Sequence, residues 1–213
     1  MRRIFLVRHG QSLANIDKAV HFNTADHAIP LSDLGHKQAV EAGGYLHRYI
    51  GGKYQCRLWN SPYLRTRQTA EGIERGSTGI IQDRKEHINL CEQQFGLFDG
   101  LEDDELAQRF PAEFEYYRKC EADQGRFWAR MPLGESRFDV SIRVHQAFGT
   151  FHRDCDKYGV DNIIVVCHGV TLRAFVMQWL HLTPEWFDAE RNPGNCWIRL
   201  IEEGEDKGYI YKG

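Results

Sequence analysis

Two short apolar runs near opposite ends of the chain, Ile4-Phe5-Leu6-Val7 and Ile163-Ile164-Val165-Val166, constrain the fold most. Both are rich in β-branched residues and neither alternates with polar residues, so each reads as a strand buried on both faces. Cys56 to Trp59 carries a weaker form of the same pattern. The segments between these runs have a helical period. Ser32 precedes a stretch from Asp33 to Tyr49 in which Ala39, Val40, Gly43, Leu46 and Ile50 recur at the spacing a buried helix face requires. Thr66 to Glu74, Phe138 to Tyr158 and Leu172 to Leu180 read similarly. Strands alternating with helices predict an α/β fold with three layers, α/β/α, around a mostly parallel sheet.

The stretch from Leu101 to Met131 departs from that alternation. Glu102-Asp103-Asp104-Glu105 opens one helix, Pro111 starts another, and Phe110, Phe114, Tyr116, Tyr117, Phe127 and Trp128 crowd the rest. Acidic residues at a helix start complement its dipole, so the acidic run is read as capping rather than as a metal site. The expectation is one domain over residues 1–213, with a helical insertion at about 101–131 over the active site, whose aromatic residues are open to two readings: one wall of the site, or simply packed helix.

Composition narrows the chemistry mainly by exclusion. A net charge of -3 supplies no global attraction for nucleic acid or for an anionic membrane, so neither is expected as a partner, and any phosphate binding must come from local charge. The basic start Met1-Arg2-Arg3 is followed by only four apolar residues, too few for a signal peptide or a membrane span, which predicts a cytoplasmic protein. The six cysteines, at 56, 91, 120, 155, 167 and 196, form no C-x-x-C pair and are expected to be reduced thiols. With no H-E-x-x-H or EF-hand pattern, no metal and no cofactor are expected.

The chemical signal is a coincidence: both β-branched strands end in His-Gly, as Val7-Arg8-His9-Gly10 and Val166-Cys167-His168-Gly169. In open α/β sheets ligands collect outside the carboxyl ends of the strands, so two such histidines can converge on one pocket, with Gly10 and Gly169 permitting close approach of ligand to backbone. Either His-Gly alone would be a satisfied histidine at a strand end; the pair points to a site. Arg8 adjoins the first histidine, and Arg65 follows the middle strand within Ser61-Pro62-Tyr63-Leu64-Arg65. Guanidinium forks match phosphate oxygens, so Arg8, Arg65, His9 and His168 together would neutralise a phosphoryl group without a metal ion. Arg67, two residues further on, is expected to face away toward solvent or an acid.

These residues, taken with their surroundings, resemble the histidine phosphatase superfamily, also called phosphoglycerate-mutase-like. The R-H-G motif appears as Arg8-His9-Gly10 with Asn15 following, and P-L-T/S-x-x-G-x-x-Q-A as Pro30 to Ala39. The S-P-x-x-R segment is Ser61 to Arg65, L-x-E-x-x-F-G is Leu90 to Gly96, G-E-S is Gly134-Glu135-Ser136, and H-G is His168-Gly169. The resemblance implies that His9 is the nucleophile, that Arg8, Arg65 and His168 surround the phosphate, and that Glu92 donates the proton to the leaving group. It also implies that Asn15 donates its amide to a phosphate oxygen, with helix capping as the rival role. Ser136 and the two residues before it are expected to organise a helix start. The implied substrate is a small organic phosphate; the sequence says nothing of oligomeric state.

Three rival readings stand beside this one. Cys167-His168-Gly169-Val170-Thr171-Leu172-Arg173 satisfies C-x5-R, the spacing of cysteine-dependent phosphatases, but it holds one glycine, lacks the preceding histidine and leaves the other motifs unexplained. A mutase, which returns the phosphoryl group to its substrate, is disfavoured because Ala14 precedes Asn15 where the familiar mutases carry tryptophan, and Val170-Thr171 follow the second His-Gly in place of Asn-Ser. A non-catalytic phosphate binder is disfavoured because every implied catalytic position is filled. Two peripheral segments, His21 to Pro30 and Asn192 to Cys196, resemble a less familiar group of the same proteins. There His27 and Asn195 are candidates to reach the pocket, against the plainer roles of loop histidine and turn asparagine.

Overall fold

The computed structural model describes residues 3–51 and 55–213. Met1 and Arg2, part of the basic start read above, lie outside the described residues. Six strands form one sheet: β1 (Arg3–Arg8), β2 (Cys56–Asn60), β3 (Ile81–Glu86), β4 (Asn162–Cys167), β5 (Ile198–Glu202) and β6 (Glu205–Tyr211), in the order β3-β2-β4-β1-β5-β6. The first four are mutually parallel, and β5 and β6 close the far edge as an antiparallel pair. The helices are α1 (Leu13–Ile16), α2 (Val20–Asn23), α3 (Asp33–Ile50), α4 (Leu64–Ser77), α5 (Asp103–Arg109), α6 (Pro111–Gln124), α7 (Arg137–Tyr158), α8 (Gly169–Trp179) and α9 (Pro184–Ala189).

The fold is the expected α/β sandwich, and side-chain alternation along the strands explains its layers. Ile4, Leu6, Ile163 and Val165 point to one face, where Val144, Phe148 and Phe151 of α7 and Leu172, Phe175 and Val176 of α8 cover them. Phe5, Val7, Ile164 and Val166 point to the other, against Ala39, Ala42 and Leu46 of α3 and Ala70 and Ile73 of α4. Ser32 caps α3 by accepting from Gly35 N, and Ser136 caps α7 by accepting from Asp139 N. A buried charge network crosses the sheet at β2: Arg57, 1 % exposed, holds Asp154 through Nε at 2.6 Å and Nη2 at 3.0 Å. Removing one partner of such a pair costs about 3–5 kcal/mol.

Three strands go beyond the expected set. β3 reads Ile-Gln-Asp-Arg-Lys-Glu and shows no apolar pattern because it is a sheet edge, and the β5–β6 pair occupies the other. The insertion is helical as expected, with α5 and α6 packing Leu106, Phe110, Phe114 and Tyr117 around Phe98. No residue of 101–131 lines the cavity described below; the wall there is Phe95 and Asp99, on the segment leading into the insertion. The insertion meets the rim indirectly, through an ion pair of Glu102 with Lys18 and the Arg109 guanidinium over the Phe22 ring at 5.5 Å. No helix among the described residues is long and apolar enough to cross a membrane.

Candidate active site

Strand register brings the two histidines together. Arg8 of β1 lies opposite Cys167 of β4, so the next residues, His9 and His168, leave the sheet side by side. Their ring centroids are 5.3 Å apart, with the planes at 63°. Gly10 is required where β1 turns away: a Cβ there would lie 2.6 Å from the Gly35 carbonyl oxygen, so the α3 start could not approach. Gly10 N in turn donates to Thr69 Oγ1 of α4 at 3.0 Å.

His9 is 4 % exposed, and its Nδ1 lies 2.7 Å from the Gly10 carbonyl oxygen. A carbonyl only accepts, so the proton resides on Nδ1 and the Nε2 lone pair is free. Burial, reinforced by Arg8 and Arg65, holds this imidazole well below the usual histidine range and therefore neutral. His168 is fully buried behind it, with Nε2 2.9 Å from Ser61 Oγ and Nδ1 without a hydrogen-bond partner. Burial, then Arg65, His9 and Arg143, hold His168 well below the histidine range as well.

Arg8, His9, Asn15, Arg65 and Glu92 line one cavity of about 140 Å³ at the carboxyl end of the parallel strands. Arg8 is anchored by Nη1 to the Pro193 carbonyl at 2.6 Å, while its buried Nε has no partner. Arg65 sits over the Tyr63 ring at 4.9 Å and forks onto Asp26 through Nη1 at 2.9 Å and Nη2 at 3.2 Å. His168 is not part of the cavity wall. Neither is Gly169, and its missing side chain has a different use from the one expected: a Cβ would lie 2.1 Å from Asn192 Oδ1. Arg67 faces away and pairs with Glu86 at 2.7 Å.

Glu92 is positioned from two sides. Its Oε1 accepts from Gln93 N at 3.0 Å and Thr171 N at 3.3 Å, and Oε2 from Val170 N at 3.3 Å, so the carboxyl rests on the first turn of α8. Behind it, Arg143 of α7 donates to the carbonyls of Asn89, Cys91 and Glu92 at 2.9, 2.8 and 3.0 Å. Glu135 holds that guanidinium at 2.8 and 2.9 Å and accepts from Gln94 N at 3.0 Å. The Gly134-Glu135-Ser136 motif thus caps α7 and braces the Glu92 loop. Asn15 Oδ1 accepts from Ser12 N at 3.1 Å, the capping role, and from Asn195 Nδ2 at 3.0 Å, and Asn195 Nδ2 also donates to the His9 carbonyl at 3.2 Å. His27 packs near Tyr63, 6.5 Å between rings, and does not line the cavity.

Sequence reasoning missed His21 and Asp26, which line the cavity with Asp99. His21 Nδ1 lies 3.4 Å from Asp99 Oδ2 and 3.9 Å from Asp26 Oδ1. These three are the one group among the described residues whose ligand atoms converge, within 4.8 Å, closely enough for a cation, but Asp26 already gives both oxygens to Arg65. No sequence pattern marks this pairing, which joins residues 39 apart. The cysteine reading loses its chemistry: Cys167 is fully buried among the apolar residues facing α7 and α8, and burial pushes its thiol far up, away from the thiolate. Arg173, which would clamp the phosphate, instead donates to the carbonyl of Glu190 at 3.1 Å.

Comparison with known proteins bears on the fold and the family. The chain is 37 % identical to phosphoglycerate mutase-like protein AT74 of Arabidopsis thaliana, across 98 % of this chain and 67 % of the relative. It is 26 % identical to the broad-range acid phosphatase DET1 of Saccharomyces cerevisiae, across 96 % and 86 %. A mycobacterial glucosyl-3-phosphoglycerate phosphatase complexed with VO3 shares the fold, with a TM-score of 0.72 at 22 % identity over 95 % of this chain and 91 % of that one. The pattern defining the histidine phosphatase superfamily, branch 1, matches residues 4–212, and the chain belongs to that family.

Proposed function

We propose that this chain hydrolyses small organic phosphomonoesters without a metal ion, passing the phosphoryl group through His9. The observation carrying the reading is the His9 tautomer: Nδ1 is committed to the Gly10 carbonyl, leaving the Nε2 lone pair on a neutral ring in a cavity that also holds Arg8 and Arg65. In the first step Nε2 attacks phosphorus in line, forming the N–P bond as the P–O bond to the alcohol breaks. The two guanidinium groups bind the equatorial oxygens as charge shifts onto them, and His168, off the cavity wall, packs its ring against His9 at 5.3 Å and holds that ring in place.

The departing alkoxide needs a proton, and Glu92 supplies it. Thr171 Oγ1 lies 2.6 Å from the Cys91 carbonyl and 3.2 Å from Glu92 Oε1. Its single proton goes to the shorter contact, so its lone pairs are available to a protonated carboxyl. Ionised after the first step, Glu92 takes a proton from water, which attacks phosphorus and frees His9. Asn15 offers its amide to a phosphate oxygen while Asn195 and Ser12 hold its other end.

Turnover of an aryl phosphate in excess EDTA tests the reading. His9→Ala is expected to abolish it and Cys167→Ser to retain most of it. An active alanine variant, a dead serine variant, or activity that returns only with added metal would overturn the mechanism.

A further inference from the structure

The cavity is lined by groups of both signs. Arg8, Arg65 and His9 line it together with Asp26, which Arg65 forks, and Asp99, which His21 approaches at 3.4 Å. Asp26 and Asp99 are partly exposed, at 24 % and 36 %, so both reach the solvent of the cavity they line. The cations of the cavity wall are Arg8 and Arg65, and a phosphoryl dianion requires both. When phosphate takes part of the Arg65 fork, Asp26 recovers acceptor capacity and needs a donor.

We propose that Asp26 and Asp99 select the leaving group: the pocket accepts monophosphates of neutral polyols and rejects those whose alcohol carries a carboxylate or a second phosphate. The inference rests on reading the cavity as a phosphomonoester site. Hydroxyl groups donate to carboxylates, whereas another carboxylate or phosphate brings only acceptors and like charge, with no uncommitted cation in the wall to receive it. The selection also weighs against mutase chemistry on phosphoglycerates, whose substrates carry a carboxylate beside the phosphate.

The test is binding to His9→Ala protein, in which turnover does not intrude, using two ligands that differ only at the far carbon: glycerol 3-phosphate and 3-phosphoglycerate. Glycerol 3-phosphate is expected to bind about tenfold tighter or more, as like-charge juxtaposition predicts. Asp99→Asn in the same background should narrow that ratio about threefold or more, since it removes the charge and keeps the shape. Equal affinity for the two ligands, or a ratio indifferent to Asp99→Asn, overturns the proposal. Phosphoethanolamine binding much tighter than glycerol 3-phosphate would move the selection to an ammonium group and overturn the polyol assignment. If orthophosphate and both esters all fail to bind, the phosphomonoester reading itself falls and the inference with it. Should the alanine variant not fold, inhibition constants of the same ligands against aryl phosphate hydrolysis by the unaltered protein give the ratio.

Discussion

Acidification should destabilise this fold through the two active-site histidines. Both are buried, at 4 % and 0 % exposure, and burial holds both imidazoles well below the usual range. In the unfolded chain each would protonate near the ordinary value of about 6.5. Between that value and the depressed folded value the unfolded state binds protons that the folded state does not, so stability is intact above about 6.5 and falls as pH drops toward the folded value. The slope is at most about 1.4 kcal/mol per pH unit for each histidine, so neither can contribute more than roughly 2 kcal/mol by about pH 5. Carboxyls raised by burial, Asp99 and Glu74 among them, titrate the other way, so the informative quantity is a difference between variants. Urea unfolding of the unaltered protein and of His9→Asn, at about pH 7 and about pH 5 in phosphate-free buffer, isolates the His9 contribution. The unaltered protein should lose more than the variant over that interval, by up to about 2 kcal/mol. Parallel losses would mean that His9 is protonated in the folded protein, and the nucleophile argument would fail with it.

Glu92→Gln should injure the enzyme in proportion to how badly the leaving oxygen needs a proton. kcat/KM should fall about 10²–10⁴-fold for an alkyl phosphate and little for a nitrophenyl phosphate; an equal loss on both would assign Glu92 to binding or structure, and Asp99 would become the candidate donor. Arg143→Ala frees the carbonyls of Asn89, Cys91 and Glu92 and leaves Glu135 without its partner. It should lower the unfolding free energy by about 2–4 kcal/mol and lower kcat for alkyl phosphates more than for aryl ones, which circular dichroism melts and steady-state kinetics would check. A loss of stability with the alkyl-to-aryl ratio unchanged would remove Arg143 from the positioning of Glu92.

The parallel centre of the sheet was legible because β1 and β4 are buried on both faces and carry continuous Ile, Val and Leu. The edges were not: β3 is polar along most of its length, and β6 spends Glu205, Asp206 and Lys207 on solvent and on neighbouring charges. The positions of His9 and Arg65 beside the cavity could be read from the residues themselves, since each follows a strand of the parallel set, whereas His168 follows its strand but sits behind His9, off the cavity wall. Glu92 could not, because its role depends on the first turn of α8 and on Arg143, 51 residues away; only the family resemblance pointed to it. Asp26 and His21 escaped for the same reason. In the segment from His21 to Pro30 the sequence points to His27, whereas the contact at the cavity is the ion pair of Asp26 across space with Arg65. Gly169 was expected to admit a ligand and instead admits Asn192.

The central claim, that the phosphoryl group passes through His9, is tested most directly by quenching the enzyme during turnover of a labelled phosphomonoester and locating the label. The account predicts an acid-labile, base-stable phosphohistidine on the peptide containing Arg8-His9-Gly10, absent in His9→Ala. An acid-stable adduct, a label on Cys167, or full turnover with no phosphoenzyme in rapid-quench experiments would contradict it.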